Sequence, residues 1–480
     1  MAGTAALILA NRAYGDHQSP PPGAPILGSG GLVAAVGSAI APWDGSTGTL
    51  WIGAGRGAHD TEYVDEHGRE VLETGRGPLQ HQRLFFDEAT WTGHYEAVAN
   101  GFLWPLLHHV RRSMTERAAF FPRPVLPTAD EWHKYEQVNA AFARAAAAAG
   151  TATAWVHDYQ LALVPRMLRD LGYEGRIGFF LHTPLGPPDV ASVVLDDVGR
   201  ERLRSVIAGI LGADLAGFQT ERDRANFENA ARALCGAIVT AGGVQLEGRT
   251  TRTGSFPVGV NAEDVTNALG ADLPAAAGNT RGLPLVVALE RADFTKGIPE
   301  RMEAVARAYA DGARFAYFGA ASPTREGVAL YEGFAEVITA ATARAAAAAR
   351  EAGCPFQQVT SSLSWGEVVA LLARADVVFT SSLADGMNLV PLQAVVAQAG
   401  RVRRGVAIAG RDAGVSIAYP SDGSEGLIAV DPLETWATAD VLRLATGGRL
   451  PGMSDRLVVD VRTHDSARWA ESFMSELEAT

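Results

Sequence analysis

The chain has 480 residues, enough for two or three domains of roughly 150 residues each, and its composition is skewed toward arginine and alanine. A formal net charge of −13, without long runs of like charge, argues against a general nucleic-acid or anionic-membrane surface, although a small anionic ligand is compatible with it. Among the 41 basic residues, only Lys134 and Lys296 are lysines, so each of the two invites a reason for its presence.

The cysteines and the N-terminus indicate the compartment. Cys235 and Cys354 cannot build a disulfide framework, and the N-terminus lacks the basic region of a signal peptide. No window reaches the about 18 consecutive apolar residues of a membrane-spanning helix. We therefore expect a cytoplasmic protein that binds neither nucleic acid nor membrane, and the sequence leaves its oligomeric state open, a homo-oligomer included.

In the first half of the chain, short apolar runs alternate with longer amphipathic runs, which is typical of a mainly parallel α/β architecture. Residues Ala129 to Ala149 are predicted to form a helix with Thr128 as its N-cap. Within the segment 53–77, which interrupts the rhythm, Asp65–Gly68 is predicted to be the turn of an inserted hairpin. The predicted strands are Ala5–Ala10, Leu50–Gly53, Ala154–His157 and Ile177–Leu181.

A second series of strands begins after Pro257 and again alternates with helices. The predicted strands are Leu285–Leu289, Phe315–Phe318, Val377–Thr380 and Val406–Ala409. We expect two doubly wound units that join near residue 260 and face each other across a cleft. Because ligands of such sheets bind outside the carboxyl ends of the strands, polar residues at those positions are the candidates for a binding site.

The first polar position follows the first predicted strand. Asn11 and Arg12 enter a loop that leads to the glycine-rich segment Gly28–Leu32, which precedes a predicted helix over Val33–Ile40. Glycines before a helix allow backbone N–H groups to approach an anion at the helix N-terminus. A plain tight turn explains the same pattern.

Two further strand ends carry Asp158 and His182. Together they could hold the hydroxyl groups of a sugar, whereas Asp158 could equally cap a helix and His182 could be a buried, satisfied histidine. A zinc site is a poor alternative, because His108 and His109 are adjacent and no His-x-x-x-His spacing occurs.

In the second half, Arg291 and Lys296 lie between a strand and a helix. The two cations could converge on a diphosphate beside the helix N-terminus, or they could be an ordinary solvated pair. Asp385 lies in a later segment that follows a strand and precedes a helix, and its carboxylate could accept from hydroxyl groups while the following amides face a sugar or phosphate. Those amides belong to Gly386, Met387, Asn388 and Leu389.

Taken in order, these segments resemble the trehalose-6-phosphate synthase family, which are retaining glycosyltransferases of the GT-B fold. The resemblance covers nearly the whole chain. Its motifs are Asn11-Arg12, Gly30–Leu32, Tyr95, Phe102–Pro105, Trp155–Tyr159, Arg176–His182, Gly217–Thr220, Glu290-Arg291, Lys296-Gly297, Pro323–Arg325 and Asp385–Val390.

The resemblance implies two Rossmann-like domains with separate tasks. Residues 1–258 would form the acceptor-binding domain, residues 259–464 would bind the nucleotide-sugar donor, and a helix over about 465–480 would pack back on the first domain. The catalytic residues implied are Arg291, Lys296, Asp158 and His182.

The resemblance also implies which residues bind each substrate. Donor-binding positions are Gly31, His182, Arg291, Lys296, Asp385, Gly386, Met387, Asn388, Leu389 and Gln393. Acceptor-binding positions, several of which would contact a phosphate, are Arg12, Tyr95, Trp104, Asp158, Tyr159 and Arg325. Most of this acceptor set is intact, which favours a small anionic acceptor.

The implied mechanism uses one face of the sugar. No acidic residue of these motifs is a covalent nucleophile in the family, so the two-carboxylate scheme of hydrolases is not required. The acceptor attacks as the nucleotide leaves, the leaving phosphate takes the proton, and Arg291 and Lys296 stabilise the charge. We expect neither a metal nor another cofactor.

Two departures from the family pattern bear on the substrates. Where the family carries Lys-Glu, with the Glu holding the donor ribose, this chain has Leu392 and Gln393. The run Thr183–Pro188 also differs from the aromatic-containing run that is more usual after the histidine.

The sequence therefore allows three functions. The leading one is a retaining transfer from a UDP- or GDP-sugar to a small, anionic acceptor, as in trehalose-6-phosphate synthesis. The second is an antibiotic-pathway paralogue that makes an unusual coupling, either a pseudo-glycosyl C–N bond or the S-glycosylation of a small thiol such as ergothioneine. The third is an inactive relative that senses sugar phosphates.

Overall fold

The structure is a computed structural model that describes residues 6–27, 31–37, 40, 48–108, 122–189, 194–325 and 327–480. The predicted positions Ala5, Gly28–Gly30 and His109 lie outside this described part. The chain divides into two compact units. The first contains Met1–Leu107, Pro124–Pro257 and Ser466–Thr480, and the second contains His108–Arg123 and Val258–Asp465.

A ten-stranded sheet forms the centre of the first unit, with the strand order β10-β11-β12-β9-β8-β7-β1-β4-β6-β5. Its inner strands are parallel, while β5 pairs antiparallel with β6 at one edge and β10, β11 and β12 form an antiparallel meander at the other. The strands of this unit are β1 Leu7–Arg12, β2 Gly15–Asp16, β3 Ile26–Leu27, β4 Leu50–Ala54, β5 Arg69–Thr74, β6 Gly77–Leu84, β7 Thr153–His157, β8 Arg176–Leu181, β9 Leu215–Phe218, β10 Ile238–Thr240, β11 Gly243–Leu246 and β12 Arg249–Ser255.

Helices of the first unit follow most of the parallel strands, and a π-helix over Thr92–Leu103 lies between two short α-helices. The final helix of the chain also belongs to this unit. The α-helices are α1 Gly31–Val36, α2 Glu88–Trp91, α3 Trp104–Leu107, α4 Ala129–Ala149, α5 Val164–Asp170, α6 Asp197–Ile210, α7 Glu221–Cys235 and α16 Ser466–Glu478.

The second unit is built on a six-stranded, all-parallel sheet with the order β15-β14-β13-β16-β17-β18. Its strands are β13 Leu285–Arg291, β14 Ala316–Ser322, β15 Phe356–Val359, β16 Val377–Phe379, β17 Val406–Gly410 and β18 Leu427–Val430. Its helices are α8 Ala262–Asn267, α9 Ile298–Ala310, α10 Phe334–Glu351, α11 Trp365–Arg374, α12 Val390–Ala397, α13 Gly414–Ala418, α14 Thr435–Thr446 and α15 Asp455–Thr463.

Helix α4 begins where the sequence indicates. Thr128 is its N-cap: the hydroxyl accepts from the amide of Glu131 at 3.2 Å, and the Glu131 carboxylate accepts from the amide of Thr128 at 2.7 Å. This reciprocal capping box satisfies two N–H groups that the first turn of a helix leaves without partners. The predicted bounds of the helix are confirmed.

Five strands, β1, β4, β13, β14 and β17, extend beyond their predicted ends, and in β1 and β13 the extension takes in predicted site residues. Arg12 is the last residue of β1, paired with Ala54 of β4 beyond a register shift, so Asn11 and Arg12 do not lie in the following loop. Arg291 likewise closes β13, because this strand stays in register with β14 as far as Ser322. In both cases the neighbouring strand continues the ladder past the last apolar residue.

The predicted helix over Val33–Ile40 was placed too late in the chain. The helix α1 begins at Gly31 and ends at Val36, and the described residue Ile40 donates its amide to the carbonyl of Gly37 at 3.3 Å outside that helix. A glycine is compatible with the first position of this helix, because the first backbone N–H groups of a helix have no intrahelical partner.

The inserted hairpin is present, but its turn was misplaced. Asp65–Gly68 does form a turn, closed by a 3.0 Å bond from the Gly68 amide to the Asp65 carbonyl, and it precedes β5. The hairpin itself turns between Thr74 and Gly77, where β5 and β6 are paired. Strand β6 was missed because two of its inward-facing residues, His81 and Arg83, are polar and hide the alternation.

Candidate active site

In the second unit, the segment after β13 forms a tight turn that places Lys296. Asp293 caps the 3₁₀ turn Phe294–Lys296, and its carboxylate accepts from the Thr295 amide at 3.0 Å. Gly297 follows with φ 59° and leads into α9. A Cβ at Gly297 would lie 2.3 Å from the carbonyl oxygen of Ser381, so glycine is required by both the backbone angle and the close approach.

Lys296 forms an ion pair with Asp385 in which both side chains are largely buried, 12% and 14% exposed. The hydroxyl of Ser382 lies 3.0 Å from the same carboxylate oxygen. Burial would raise the pKa of Asp385, but the Lys296 ammonium, the hydrogen bonds and His108 outweigh it, and the pKa lies below its usual range. The Asp385 carboxylate is therefore charged at neutral pH and faces the Lys296 side chain.

The loop that holds Asp385 lies against the end of β17. Asp385 bridges to Ala413, and the amide of Gly414 donates to the Asp385 carbonyl at 3.1 Å. A Cβ at Gly414 would be 1.9 Å from the Gly386 carbonyl oxygen. Asn388 has φ 62° and donates from its amide group to Ser382 at 3.0 Å. These contacts place the predicted backbone amides next to the Lys296–Asp385 pair.

His108 lies near the Lys296–Asp385 pair. From the sequence, His108 was weighed only as a possible metal ligand. It is buried and close enough to Asp385 to lower the pKa of that carboxyl. We expected residues 108–123 and Val258 in the first domain, whereas the structure groups His108 and Val258 with the second unit. No spacing signal links His108 to Asp385, because they are far apart in the chain.

The other predicted donor residues of this unit differ in accessibility. Arg291 is exposed at the end of β13. Gln393 is partly exposed in the first turn of α12, where its backbone N–H donates to the Leu389 carbonyl at 2.9 Å. Leu392 is 1% exposed, so it is part of the core and does not face a ligand. Met387 is also buried.

Arg325 belongs to the second unit, whereas the other predicted acceptor residues belong to the first. Its guanidinium contacts the carboxylate of Asp293, which also accepts from the Tyr331 hydroxyl at 2.9 Å. Full burial alone would raise the pKa of Asp293, but Arg325 and Arg291 hold it well below its usual range. Arg325 therefore has a structural partner here, and its contact with an acceptor stays a prediction.

In the first unit, Asp158 and His182 come together at the ends of β7 and β8. Asp158 has φ 71°, and its carboxylate accepts from the His182 amide at 3.1 Å. Nε2 of His182 lies 3.1 Å from Nδ1 of His157. Burial lowers the pKa of His182 to about 3, so its ring is neutral. The helix cap that Asp158 could have formed is absent: the short turn Tyr159–Leu161 receives no side-chain bond from it.

Four predicted acceptor residues lie along the π-helix and the adjoining strand ends. Arg12 donates to the Tyr95 hydroxyl at 2.8 Å, and its guanidinium lies 5.5 Å from the centre of that ring. The ring centres of Trp104 and Tyr159 are 5.9 Å apart. Asn100 connects the two groups, since its amide donates to the Tyr95 carbonyl at 2.8 Å and its oxygen accepts from the Tyr159 hydroxyl at 3.2 Å.

Sequence reasoning missed Asn100, His157 and Asp293, all three fully buried polar residues. A weak signal existed for His157, which directly precedes Asp158, and for Asp293, which lies between Arg291 and Lys296. Asn100 had no such signal, because its hydrogen bonds to Tyr95 and Tyr159 depend on the π-helical spacing. Gly31, the predicted backbone donor, begins α1, and Gly30 of the same motif lies outside the described residues.

Neither a metal centre nor a membrane-spanning helix is found among the described residues. No group of three or more His, Cys, Asp or Glu side chains in that part of the chain has an arrangement that could hold a metal ion. Within the same part, no helix has the length and apolar character needed to cross a bilayer.

Comparison with known proteins identifies the family of this chain. The model of glycosyltransferase family 20 matches residues 29–479. An α,α-trehalose-phosphate synthase [UDP-forming] 2 of Aspergillus niger is 29% identical over 419 residues, 82% of this chain and 81% of that protein. A trehalose-6-phosphate synthase of Mycobacterium avium is 29% identical over 504 aligned residues, 98% of this chain and 94% of that protein.

Solved structures show the same fold. An α,α-trehalose-phosphate synthase (UDP-forming) from Burkholderia vietnamiensis matches with a TM-score of 0.78 and 25% identity, over 99% of this chain and 100% of that one. The expected GT-B fold is thereby confirmed. Since the family model spans nearly the whole chain, the protein belongs to glycosyltransferase family 20, with the trehalose-6-phosphate synthases, and is a nucleotide-sugar-dependent glycosyltransferase.

Proposed function

We propose that this enzyme transfers glucose from UDP-glucose to glucose 6-phosphate with retention of configuration. The observation that carries the proposal is the buried Lys296–Asp385 pair at the end of a parallel sheet, with Arg291 exposed at the neighbouring strand end. The names of its relatives, UDP-forming trehalose-phosphate synthases, support UDP as the nucleotide and a sugar phosphate as the acceptor.

The two cations would stabilise the leaving group. Asp385 orients the Lys296 ammonium, and the exposed Arg291 lies close enough to Asp293 to lower the pKa of that carboxyl. As the bond between the sugar C1 and the diphosphate oxygen breaks, negative charge grows on that diphosphate, where fixed cations are most effective. Resident carboxylates would not act as nucleophiles in this scheme.

Retention would follow from attack on the same face of the sugar. The acceptor hydroxyl oxygen bonds to C1 on the side from which the diphosphate departs, and its proton passes to an oxygen of that diphosphate. The chain's contribution is then orientation of the reactants and electrostatic stabilisation. Asp158 and His182 would hold sugar hydroxyls, and Arg12 and Tyr95 would face the acceptor phosphate.

A second function is favoured by one observation, the replacement of Lys-Glu by Leu392 and Gln393. Gln393 can accept one hydrogen bond and donate another, but it lacks the charge with which a glutamate would hold both ribose hydroxyls. We therefore also propose, as the alternative, a paralogue with a different nucleotide such as GDP, or with a nitrogen or sulfur acceptor.

The two lysines allow a matched test of the proposal. Lys296→Met removes the charge near the proposed diphosphate and should lower kcat by about 100- to 1,000-fold. Lys134→Met removes a charge of α4 that pairs with Asp130, and should leave turnover unchanged. Turnover is read as released nucleotide and as product mass.

The substrate panel decides between the proposed functions. UDP- and GDP-sugars are combined with sugar phosphates, aminocyclitol phosphates and small thiols such as ergothioneine. Product from UDP-glucose and glucose 6-phosphate supports the first function, whereas product only from another pair supports the alternative. Near-normal turnover of Lys296→Met, or ligand binding without turnover of any pair, would contradict the catalytic assignment.

A further inference from the structure

His157 and His182 form a hydrogen-bonded pair of imidazoles in the first unit. His157 is the last residue of β7, paired with Phe180 of β8, and its ring is fully buried. His182 follows β8 and is partly exposed. Nδ1 of His157 is 3.1 Å from Nε2 of His182, a distance at which one N–H bridges the two rings.

Both rings are neutral at physiological pH. Burial lowers the pKa of His157 well below its usual value, with a further contribution from His182, and burial lowers the pKa of His182 to about 3. A neutral imidazole carries one N–H and one bare nitrogen. Exactly one of the two facing nitrogens therefore carries the bridging hydrogen, and the choice determines the tautomer of both rings.

The far nitrogen of His157 decides which tautomer is favoured. Its Nε2 is buried and has no hydrogen-bond partner among the described residues. If the hydrogen were on Nε2, a buried donor would be left unsatisfied, and buried orphan N–H groups are rarer than undersatisfied acceptors. The hydrogen is therefore on Nδ1 of His157, which donates to Nε2 of His182, so that His182 carries its own hydrogen on Nδ1.

The surroundings hold the ring of His182 in one place. Its backbone amide donates to Asp158, and its ring centre lies 4.7 Å from that of Phe180 and 5.8 Å from that of Trp469. Trp155 packs 4.6 Å from the ring centre of His157. These aromatic rings restrict both imidazoles, while the single N–H···N bond sets which nitrogen of His182 can donate.

We propose that His157 is a positioning residue for glycosyl transfer: by donating to Nε2 of His182 it fixes His182 as the Nδ1–H tautomer, whose free N–H donates to an oxygen of the donor sugar. This inference rests on the proposed function, in which His182 contacts the donor sugar. The opposite tautomer would present a lone pair in the same place and could bind the sugar only through a hydroxyl hydrogen.

Two substitutions separate the hydrogen bond from the bulk of the ring. His157→Asn places an amide N–H near the position of Nδ1 and should keep kcat/KM for the donor within a few-fold of wild type. His157→Leu fills space without a donor and should lower that kcat/KM about 10-fold, with the KM for the acceptor unchanged. His133→Leu, at an exposed position of α4, is the control.

A spectroscopic measurement tests the tautomer without turnover. In ligand-free protein labelled with ¹⁵N-histidine, a long-range ¹H–¹⁵N correlation spectrum should show His182 protonated at Nδ1 and bare at Nε2, and His157→Leu should abolish this fixed state. The spectrum of His157→Asn identifies the resonances of each ring.

The outcomes distinguish this proposal from the proposed function. A hydrogen on Nε2 of His182 in the wild-type protein overturns the proposal, whatever the substrates prove to be. Equal loss of kcat/KM in His157→Asn and His157→Leu overturns it too, since it would show that only the ring's bulk matters. If the tautomer is as stated but no substrate pair is turned over, the proposed function fails instead.

Discussion

Some of the buried carboxylates, among them Glu70, Asp293 and Asp385, keep their charges because hydrogen-bond donors and cations face them. Glu70 of β5 is the clearest case: its oxygens lie 2.8 Å from Nε2 of His17 and 3.1 Å from Nδ1 of His81, and Arg83 donates to it at 2.5 Å. Burial would raise the pKa of Glu70, but bonds from His81 and His17 and the Arg83 charge lower it to about 2. Arg83 is also paired with Asp60 at 2.8 Å.

The depressed pKa of Glu70 predicts an acid-dependent stability. Its folded pKa of about 2 is below the ordinary value of 4.5, so its stabilising contribution is complete above about pH 4.5 and disappears as the pH falls toward 2. Glu70→Gln should therefore lower the urea midpoint at pH 7, and the difference from wild type should shrink between pH 4.5 and the acid limit.

The control for this measurement is Glu66→Gln, since Glu66 lies in the turn before β5 with its side chain 87% exposed. It should leave the midpoint unchanged at every pH. A Glu70→Gln difference that stays constant down to the lowest pH at which the protein folds would contradict the role given to the carboxylate charge.

Among the elements, the π-helix over Thr92–Leu103 brings together the most residues of the proposed acceptor site. Such helices are rare and usually a single turn, and they occur often at functional sites. Asn100 lies five residues after Tyr95, and its side-chain amide donates a hydrogen bond to the Tyr95 carbonyl. The side-chain oxygen of Asn100 accepts a hydrogen bond from the Tyr159 hydroxyl. His94 of the same helix contacts Asn11 of β1 at 2.7 Å.

Asn100→Ala should therefore disturb acceptor binding. It removes hydrogen bonds to Tyr95 and Tyr159, and the KM for the acceptor should rise about 10-fold while the KM for the donor stays constant. Initial rates at varied acceptor and then at varied donor concentration measure both constants. Asn229→Ala, at an exposed position of α7, should alter neither. A rise in both constants for Asn100→Ala would instead indicate general unfolding of the region.

Elements with local signals were predicted well and others were not. Helix α4 carries its own cap at Thr128, and the eight strands that the sequence predicts are apolar runs, so the sequence was sufficient for these elements. The parallel strands β9, β15 and β18 were not predicted. The π-helix was not predicted, because its hydrogen-bond pattern depends on the packing around His94 and Asn100. Strand β6 was missed because it buries His81 and Arg83 against Glu70, which lies on the neighbouring strand.

At the scale of the whole molecule, the last helix belongs to the first unit although the residues before it belong to the second. Phe473 of α16 is fully buried, and its ring centre lies 4.8 Å from that of Trp155. Cβ atoms added to Gly178 of β8 or Gly217 of β9 would each come within 2.7 Å of the Phe473 ring. Glycine on these two strands makes the room that the helix needs.

Phe473→Ala should thus destabilise the first unit by about 3–5 kcal/mol, the usual cost of removing a fully buried aromatic side chain. Denaturant unfolding followed by tryptophan fluorescence measures this change. Ser475→Ala, on the exposed side of the same helix, should have no effect. If the two variants unfold at the same midpoint, α16 does not contribute to the core as its burial indicates.

The sequence by itself determined the family, the α/β architecture and the candidate residues near the strand ends, because apolar runs, caps and motif spacings are written over short stretches of chain. It also singled out Lys296, one of its two lysines. Only the tertiary structure decided the partners: Asp385 for Lys296, Asp293 for Arg325, His157 for His182 and Asn100 for Tyr95 and Tyr159. Charge, tautomer and orientation depend on groups that are distant or unmarked in sequence and meet only when the sheets form.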